Sequence, residues 1–549
     1  HLYGPLVEIT ARPKLKEIVG AERLDRAVQR LLEDARDLAE RRWPNAIEKA
    51  IEIVNFAGHG DVAALTLGWV LAREYEPDFA PALFERAAFA MRMMDWHMGP
   101  NGTIRYLYNP DFEEPQLVAE TMYYHNINIR AIYLHWWFTG DDVSLRLLDR
   151  QRPYYKFRLL PWAGRGGDSH GTHYHSAIWW KEQWRTFWPG AVALAAAATG
   201  DGELATTALT MAERGTGADR KFVDWAVHGY KQMALRGVET KPRADRLLVA
   251  DPDIGGLRMR YGQLSSVFTS NSFGYTLAGT MTPESGLAGA YPLVRLDHLA
   301  TNPEYAFTNL HIASWRKPEA MIDIRKDAAV AAGTYKPHNQ RTTWQSTHDT
   351  GPWRVHQAWL YLPDRIIGLM TLRATDTTEA RSAEHIYRLM SKDVTPAGNG
   401  VYDAGDIRLT IVDTNLAHQL TEPGRKFSMS TQEPWRQIVL ADRQRSTKPE
   451  ARETAGNNEE VLPLQSYDAG DVFYSLVEVR QIDASPARIE LISFDDGLLA
   501  FGATVDGRIH VTAVNFAAEG NDRTVQWNGQ SAEVPAGAIA NLDHGPEEN

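Results

Sequence analysis

Near residue 240 the hydrophobic pattern of the chain changes its period, and few folds accommodate both halves. Over residues 21–231, apolar residues recur at helical spacing, as in Leu24, Val28 and Leu31. Beyond residue 257 the chain becomes rich in β-branched, aromatic and turn residues, as over residues 355–362. The sequence therefore predicts an α+β multidomain protein in which a helical part precedes an antiparallel β part.

A chain of 549 residues is too long for one ordinary core, so we expect several domains. We predict a helical domain over residues 1–240, a linker over 241–256, an antiparallel β-sandwich over 257–490 and a small β subdomain over 491–549. Two hairpins are expected in the β part. One turns at Pro363-Asp364 and the other at Asp506-Gly507, a strong two-residue turn signal.

Two helix junctions look alike. Thr139-Gly140-Asp141 and Thr199-Gly200-Asp201 each follow an apolar helical run. In both, Gly can end one helix in the left-handed conformation and Asp can cap the next. Asp61 and Asp78 are expected to cap two earlier helices. The repeated junctions favour helix pairs arranged in an (α/α) toroid or incomplete barrel.

The overall composition excludes several classes of protein. The absence of cysteine excludes disulfides and thiolate metal sites, and the net charge of −12 argues against nucleic-acid or membrane partners. An acidic polysaccharide stays open as a partner, because a local basic cleft can exist on an acidic protein. The chain starts without an initiator Met, so we expect a processed or truncated form. We expect a bacterial periplasmic or secreted location, with a cytoplasmic one as the alternative, and the oligomeric state stays open.

Residues 120–188 concentrate aromatic and titratable side chains. Seven of the 17 tryptophans and five of the 18 histidines lie between His125 and Trp188. Core packing seldom gathers polar, titratable and flat aromatic groups in this way. A cleft that binds sugar rings and transfers protons needs all three, so we predict a carbohydrate-cleaving site here.

Two motifs in this stretch carry a family resemblance, namely Tyr124-His125-Asn126 and the segment 168–175 (Asp-Ser-His-Gly-Thr-His-Tyr-His). With a helical toroid joined to an antiparallel sandwich, the chain resembles polysaccharide lyases of the hyaluronate and chondroitin AC lyase-like group and of the heparinase II/III and alginate lyase-like group. The resemblance implies β-elimination at a uronic acid of an acidic polysaccharide, without a cofactor and without a metal.

The resemblance also implies roles for individual residues. Tyr174 would be the base and acid, Asn126 would neutralise the substrate carboxylate, and His173 or His175 would be the partner histidine. The predicted catalytic residues are Tyr174, His173, His175, Asn126 and His125. The predicted substrate-binding residues are Tyr124, Arg130, His170, Trp179, Trp180, Arg185 and His338.

Several of these side chains have alternative interpretations. His125 and Asn126 could hydrogen-bond between packed helices, and His135 in its apolar helix is expected to be a core histidine. Tyr124 and Tyr230 are the substitutes for Tyr174 as the catalytic tyrosine. His338 and His348 fall in donor-rich segments for which a polar surface loop is the favoured interpretation, whereas His356 falls in the first strand of the hairpin that turns at Pro363-Asp364.

Three alternative functions stay open at this point. His170, His173 and His175 with Asp168 could bind a metal. A glycoside hydrolase would need two carboxylates, and its candidates are Asp95, Glu120, Asp168 and Glu182. A non-catalytic carbohydrate-binding protein would use the aromatic residues alone.

Overall fold

The structure is a computed structural model that divides into a helical unit (residues 1–157 and 185–243) and a β unit (residues 158–184 and 244–549). Within these units it describes residues 12–44, 61–107, 118–119, 122–160, 170–171, 189–213, 223–272, 275–282, 285–295, 319–340, 347–349, 351–391, 393–421, 435–443, 462–495, 497–528 and 530–544.

Amphipathic and fully apolar helices build the helical unit. Helix α2 turns Leu24, Val28 and Leu31 inward, as their spacing predicts. The alanine-rich α8 is buried along almost its whole length, as expected for a helix that is apolar all round. The helices are α1 Pro13–Val19, α2 Ala21–Asp37 (continued by a π-helical turn, Leu38–Arg42), α3 Asp61–Tyr75, α4 Ala80–His97, α5 Met122–Thr139, α6 Asp142–Asp149, α7 Gln151–Arg158, α8 Pro189–Thr199, α9 Gly202–Glu213 and α10 Val223–Leu235.

Both predicted helix junctions are confirmed. Gly140 and Gly200 have φ values of 71° and 68°, the left-handed conformation that glycine adopts without strain. The side chain of Asp141 accepts a hydrogen bond from the backbone N–H of Ser144 at 2.8 Å and caps α6. Asp201 caps α9 by accepting from the N–H of Leu204 at 3.2 Å. Closure of the helices into a toroid stays a prediction.

The predicted cap at Asp78 is wrong. Helix α4 begins at Ala80, and its N-cap residue is Phe79, which makes no side-chain cap hydrogen bond. The backbone N–H of Phe79 instead bonds to the carbonyl of Glu76, which closes a turn before the helix starts. Arg36 lies over the Phe79 ring with its guanidinium carbon 4.0 Å from the ring centroid. The helix therefore begins one residue later than a cap at Asp78 would place it.

The β unit contains two eight-stranded sheets, in which neighbouring strands pair antiparallel. Sheet 1 has the strand order β21-β22-β17-β9-β8-β7-β6-β5, and sheet 2 has the order β10-β11-β14-β15-β24-β20-β19-β18. The strands of sheet 1 are β5 Arg246–Asp251, β6 Gly256–Tyr261, β7 Leu264–Ser272, β8 Tyr275–Met281, β9 Gly286–Arg295, β17 Ser382–Met390, β21 Ala417–Thr421 and β22 Trp435–Ala441. The strands of sheet 2 are β10 Glu319–Ile324, β11 Ala329–Tyr335, β14 Trp353–Leu362, β15 Arg365–Ala374, β18 Val394–Gly398, β19 Val401–Ala404, β20 Ile407–Thr414 and β24 Val472–Gln481.

The remaining strands form a C-terminal sheet and several two-stranded pairs. One of these pairs lies in the helical unit, and the others lie in the β unit. The C-terminal sheet has the order β25-β26-β27-β30. Its strands are β25 Arg488–Ser493, β26 Leu498–Val505, β27 Arg508–Asn515 and β30 Ala538–His544. The remaining pairs are β1 Arg105–Leu107 with β2 Val118–Ala119 (helical unit), β3 Leu159–Leu160 with β4 His170–Gly171, β12 His338–Gln340 with β13 Thr347–Asp349, β16 Thr378–Ala380 with β23 Gln465–Tyr467, and β28 Arg523–Trp527 with β29 Gln530–Val534.

Sheet 2 is the middle layer of the β unit. One of its faces shares a core with sheet 1, where Trp359 and Val477 meet Phe268 and Leu389. Its other face packs on the C-terminal sheet through residues such as Leu360, which lies in the same core as Phe501. Strand β15 is consequently buried at nearly every position, as expected for a strand covered on both faces. The predicted antiparallel sandwich is therefore present, with a third layer added to it.

The two predicted hairpins are confirmed, and the strands begin earlier than expected. Strands β14 and β15 pair across Pro363-Asp364. Strands β26 and β27 pair across Asp506-Gly507, where φ is 48° at Asp506 and 78° at Gly507.

The segment 241–256, expected as a linker, contains β5, which lies at the edge of sheet 1 with Arg246 exposed at its start. Its charged flanks resemble those of a linker, because an edge strand leaves side chains in solvent.

No helix among the described residues is long and apolar enough to cross a membrane.

Candidate active site

Helix α5 carries the predicted His-Asn motif through the middle of the helical unit. His125, Asn126 and Asn128 are all fully buried, and Arg130 is half-buried. Apolar residues fill most of the remaining positions up to His135, so the helix is covered on nearly all sides. Polar side chains in such a helix need specific partners, because a buried polar group without a hydrogen bond is costly.

His125 is held between α5 and α7. Its Nε2 lies 2.7 Å from Oε1 of Gln151, and its ring stacks on the Tyr154 ring with centroids 3.7 Å apart at 10°. The Tyr155 ring meets it edge-on at 5.8 Å. These contacts agree with the alternative interpretation, in which the imidazole of His125 makes a hydrogen bond between packed helices. A catalytic role for His125 stays a prediction.

Asn126 and Arg130 begin a polar and aromatic stripe along one face of α5. Residues 126, 130, 133 and 137 follow the i, i+4, i+7, i+11 spacing of one helix face. Tyr133 donates a hydrogen bond to Gln232 at 3.0 Å, and Trp137 lies parallel to the Tyr133 ring at 6.3 Å. The N-terminal part of the stripe thus holds an amide and a guanidinium, two groups that can donate hydrogen bonds to a carboxylate.

Asn128 was not among the residues that the sequence predicted for the site. It lies about 200° around the helix from Asn126, so the two amides point to different sides. Both side-chain polar atoms of Asn128 are buried, and neither has a hydrogen-bond partner among the described residues. The signal that could have found it is a second asparagine inside an otherwise apolar helical run.

Most of the other predicted site residues lie outside the described residues, namely Tyr174, His173, His175, Trp179, Trp180 and Arg185. The backbone is described for Tyr124 in α5, for His170 in β4 and for His338 in β12. Strand β4 belongs to the β unit and pairs with β3. The roles predicted for all of these residues stay predictions.

Two residues considered in the sequence, His135 and Tyr230, have structural partners. His135 is a core histidine, as expected: its Nδ1 lies 3.4 Å from Oγ1 of Thr66, and burial lowers its pKa against the opposing charge of Asp141. The hydroxyl of Tyr230 donates to the carbonyl of Ala208 at 2.8 Å, and burial raises its pKa. Tyr230 is therefore poorly suited to act as a phenolate base.

His356 lies within strand β14, as the predicted hairpin implies. Its ring packs on Phe516 with centroids 4.4 Å apart, and burial lowers its pKa to about 3. The reason is that sheet 2 is covered on both faces.

The carboxylate of Asp95, a candidate for a hydrolase, is paired with Arg150 at 2.9 Å and with Arg146 at 3.7 Å. These contacts with two arginines are those of a structural ion pair. Among the residues that the structure describes, no three His, Asp or Glu side chains converge to hold a metal ion.

The described residues define an α+β protein that joins a helical unit, with a buried imidazole and amide beside a guanidinium, to layered antiparallel sheets. Neither a protein-family model nor a curated protein matches the chain.

Among solved structures, the chain is similar to the chondroitin AC lyase of Streptomyces coelicolor A3 in complex with chondroitin sulphate. The TM-score is 0.44 and the identity 10%, over 88% of this chain and 74% of that chain. A tyrosine-to-alanine mutant of that lyase matches with a TM-score of 0.40 and 10% identity, over 88% and 74% of the two chains. A chondroitinase AC lyase studied with bound oligosaccharides matches with a TM-score of 0.39 and 9% identity, over 87% and 78%.

These structures belong to the lyase group that the sequence resembles. Because each TM-score is below 0.5, nothing about activity, substrate or residue roles follows from the matches.

Proposed function

We propose that the protein is a polysaccharide lyase that cleaves a uronic-acid-containing polymer by β-elimination. The observation that carries the proposal is the placement of Asn126 and Arg130 one turn apart on helix α5, with His125 beside them. The amide and the guanidinium are suitable donors to a substrate carboxylate. Donors fixed on a packed helix need little reorganisation when enolate charge develops on that carboxylate.

In the proposed reaction, the Tyr174 phenolate removes the proton from C5 of the uronic acid. The electron pair of that C–H bond forms an enolate with the carboxylate, which Asn126 and Arg130 stabilise. The bond from C4 to the bridging oxygen then breaks as the C4–C5 double bond forms. The leaving oxygen takes a proton from Tyr174. His173 or His175 would favour the phenolate by adding positive charge beside it.

Substrate binding in this proposal uses the tryptophans and arginine of the same stretch. Trp179 and Trp180 would stack on sugar rings, and Arg185 would bind a carboxylate in bidentate fashion. Asn126 is fully covered, so a substrate carboxylate reaches its amide only if neighbouring side chains withdraw on binding. An acidic polysaccharide supplies the charge and the ring faces that these groups recognise.

The function is tested by incubating the protein with a panel of uronic-acid polymers. A lyase produces a conjugated unsaturated uronate, which absorbs ultraviolet light at wavelengths where the intact polymer does not, together with each new reducing end. Tyr174→Phe should abolish this product while leaving the circular dichroism spectrum unchanged, because it removes only the hydroxyl that transfers the proton. Tyr230→Phe is the matched control, and it should retain turnover because its hydroxyl is bound to a backbone carbonyl.

Reducing ends without the absorbing product would contradict elimination and indicate hydrolysis. Near-normal turnover by Tyr174→Phe would move the proton transfer to another residue. If Tyr230→Phe lost activity and Tyr174→Phe did not, the proton transfer would be assigned to Tyr230.

A further inference from the structure

The side chain of Gln151 connects a loop of the helical unit to His125. Gln151 is the first residue of α7 and is fully buried. Its amide nitrogen lies 3.3 Å from the carbonyl oxygen of Leu147, 3.4 Å from that of Gly102 and 3.5 Å from the sulfur of Met98. Its amide oxygen lies 2.7 Å from Nε2 of His125.

The surroundings fix which way the amide of Gln151 points. All three neighbours of its nitrogen are hydrogen-bond acceptors, so the group there must be the donating NH₂. The reversed orientation would place the amide oxygen against two carbonyl oxygens and a thioether. The oxygen therefore faces His125, and since an amide oxygen can only accept, Nε2 of His125 carries a proton.

A neutral imidazole has one N–H, so a proton on Nε2 leaves the lone pair on Nδ1. We propose that Gln151 is a positioning residue that fixes His125 in the Nε2–H form and makes Nδ1 its accepting atom. This inference rests on the proposed function, in which His125 belongs to the site. The neutral ring then has no N–H to give to the substrate carboxylate. In the proposed reaction, carboxylate neutralisation then falls to Asn126 and Arg130.

Two further contacts hold this arrangement in place. The parallel ring of Tyr154, with a centroid distance of 3.7 Å, fixes the plane of the imidazole. Gly102 has φ +82°, and a Cβ there would lie 2.4 Å from the carbonyl oxygen of Arg150. Only glycine lets the loop approach α7 closely enough for its carbonyl to reach Gln151.

The tautomer can be measured directly by NMR on protein whose histidine rings carry ¹⁵N. The His125 signals are assigned as those that change in Gln151→Met and Gln151→Glu. In the wild type they should show the proton on Nε2. Gln151→Met should lose this single form because Nε2 loses its acceptor, whereas Gln151→Glu should keep it. Gln232→Met is the matched control: it removes another buried amide of the helical unit, one that touches Tyr133 and His228, and should leave His125 unchanged.

Kinetics on the best polymer substrate gives a second readout. Gln151→Met should lower kcat by about 10-fold or more with little change in KM, because His125, the neighbour of Asn126 on α5, is then no longer held in one orientation and one tautomer. Gln151→Glu should restore part of kcat and move the pH profile upward, because a carboxylate favours the charged imidazole. If Gln151→Met does not fold, the NMR spectra of the wild type and of Gln151→Glu test the tautomer of His125.

A wild-type spectrum with the proton on Nδ1 would overturn the tautomer assignment. Unchanged kcat and pH profile in both Gln151 variants would overturn the positioning role. Absence of lyase product from the wild-type protein would instead contradict the proposed function. The NMR spectrum would still test the tautomer of His125, because it needs no substrate.

Discussion

At the scale of single residues, the partners of each buried polar group distinguish the side chains of helix α5. The imidazoles of His125 and His135 meet Gln151 and Thr66. The amide of Asn128, equally buried, meets no hydrogen-bonding group among the described residues. Such a group costs about 1–3 kcal/mol in desolvation. Asn128 is therefore a place where the helical unit gives up stability.

Replacing Asn128 with leucine should raise the free energy of unfolding by about 1 kcal/mol, because it removes the unsatisfied amide and keeps a similar volume. Urea unfolding followed by circular dichroism measures the change. Gln232→Leu is the control and should lower stability, since Gln232 accepts from Tyr133 at 3.0 Å. A loss of stability in Asn128→Leu as large as that in the control would show that the amide is satisfied.

Residue roles were predictable from the sequence only where local context decides them. The apolar neighbours of His135 indicated a core position, and it is one. Asn128 was not predicted as notable, because whether its amide finds a partner among the described residues depends on which helices surround it. The contact between His125 and Gln151 joins residues 26 positions apart, and helical spacing within α5 cannot indicate it. The strand that contains His356 was predictable, but the burial of its ring was not, because the third layer that covers it is formed by a distant part of the chain.

At the scale of elements, the two Thr-Gly-Asp junctions have the same backbone conformation, but the side chains around them differ. In both, the threonine hydroxyl bonds to the carbonyl four residues earlier, at 2.5 Å for Thr139 and 2.8 Å for Thr199. Asp201 has additional partners, because Arg152 and Lys156 reach its carboxylate at 2.9 and 2.8 Å. Burial alone would raise the pKa of Asp201, but these hydrogen bonds lower it overall.

This difference predicts unequal costs for two matched substitutions. Asp141→Ala removes a cap and should lower the free energy of unfolding by about 1 kcal/mol. Asp201→Ala removes a cap and also removes the buried carboxylate that Arg152 and Lys156 share, so we expect a loss of about 2 kcal/mol or more. Thermal unfolding of the two variants compares them under one condition. Equal losses would mean that the ion pairs of Asp201 contribute nothing to stability.

Elements with their own turn chemistry were predictable, and elements defined by neighbours were not. A left-handed backbone was predicted at Gly140, Gly200 and Asp506-Gly507 from the residue types, and the structure has positive φ values at all of them. Strand β5 carries charges at both ends and was expected to be linker. Its strand character comes from pairing with β6, from Arg246 opposite Tyr261 to Asp251 opposite Gly256, and not from its own composition.

At the scale of the whole molecule, coverage of sheet 2 on both faces buries titratable groups in the β unit. Nδ1 of His385 lies 2.5 Å from Oγ of Ser475, and burial lowers the pKa of His385 to about 3. Burial has the same effect on His356, with Arg354 and Arg373 adding to it. Both imidazoles are therefore neutral in the folded protein over the whole physiological range of pH.

The β unit should consequently lose stability as the pH falls below about 6.5. The folded pKa of each histidine is lower than the ordinary value, so the unfolded chain binds protons that the folded one does not. Each histidine contributes a loss of about 1.4 kcal/mol per pH unit until the pH approaches its folded pKa. Urea unfolding between pH 7 and 5 measures the slope, and His356→Leu should reduce it by one histidine's share. An unchanged slope in that variant would show that His356 takes up a proton while folded.

Strand β24 lies between β15 and β20 in the middle of sheet 2, although about a hundred residues of chain separate it from β15. During synthesis, β10, β11, β14 and β15 emerge from the ribosome long before the strand that must join them to β18, β19 and β20. Until residue 481 has been made, the nascent sheet consists of two halves with open edges facing a gap. From this strand order we expect the β unit to complete its folding late and to expose strand edges that can pair with other chains until then.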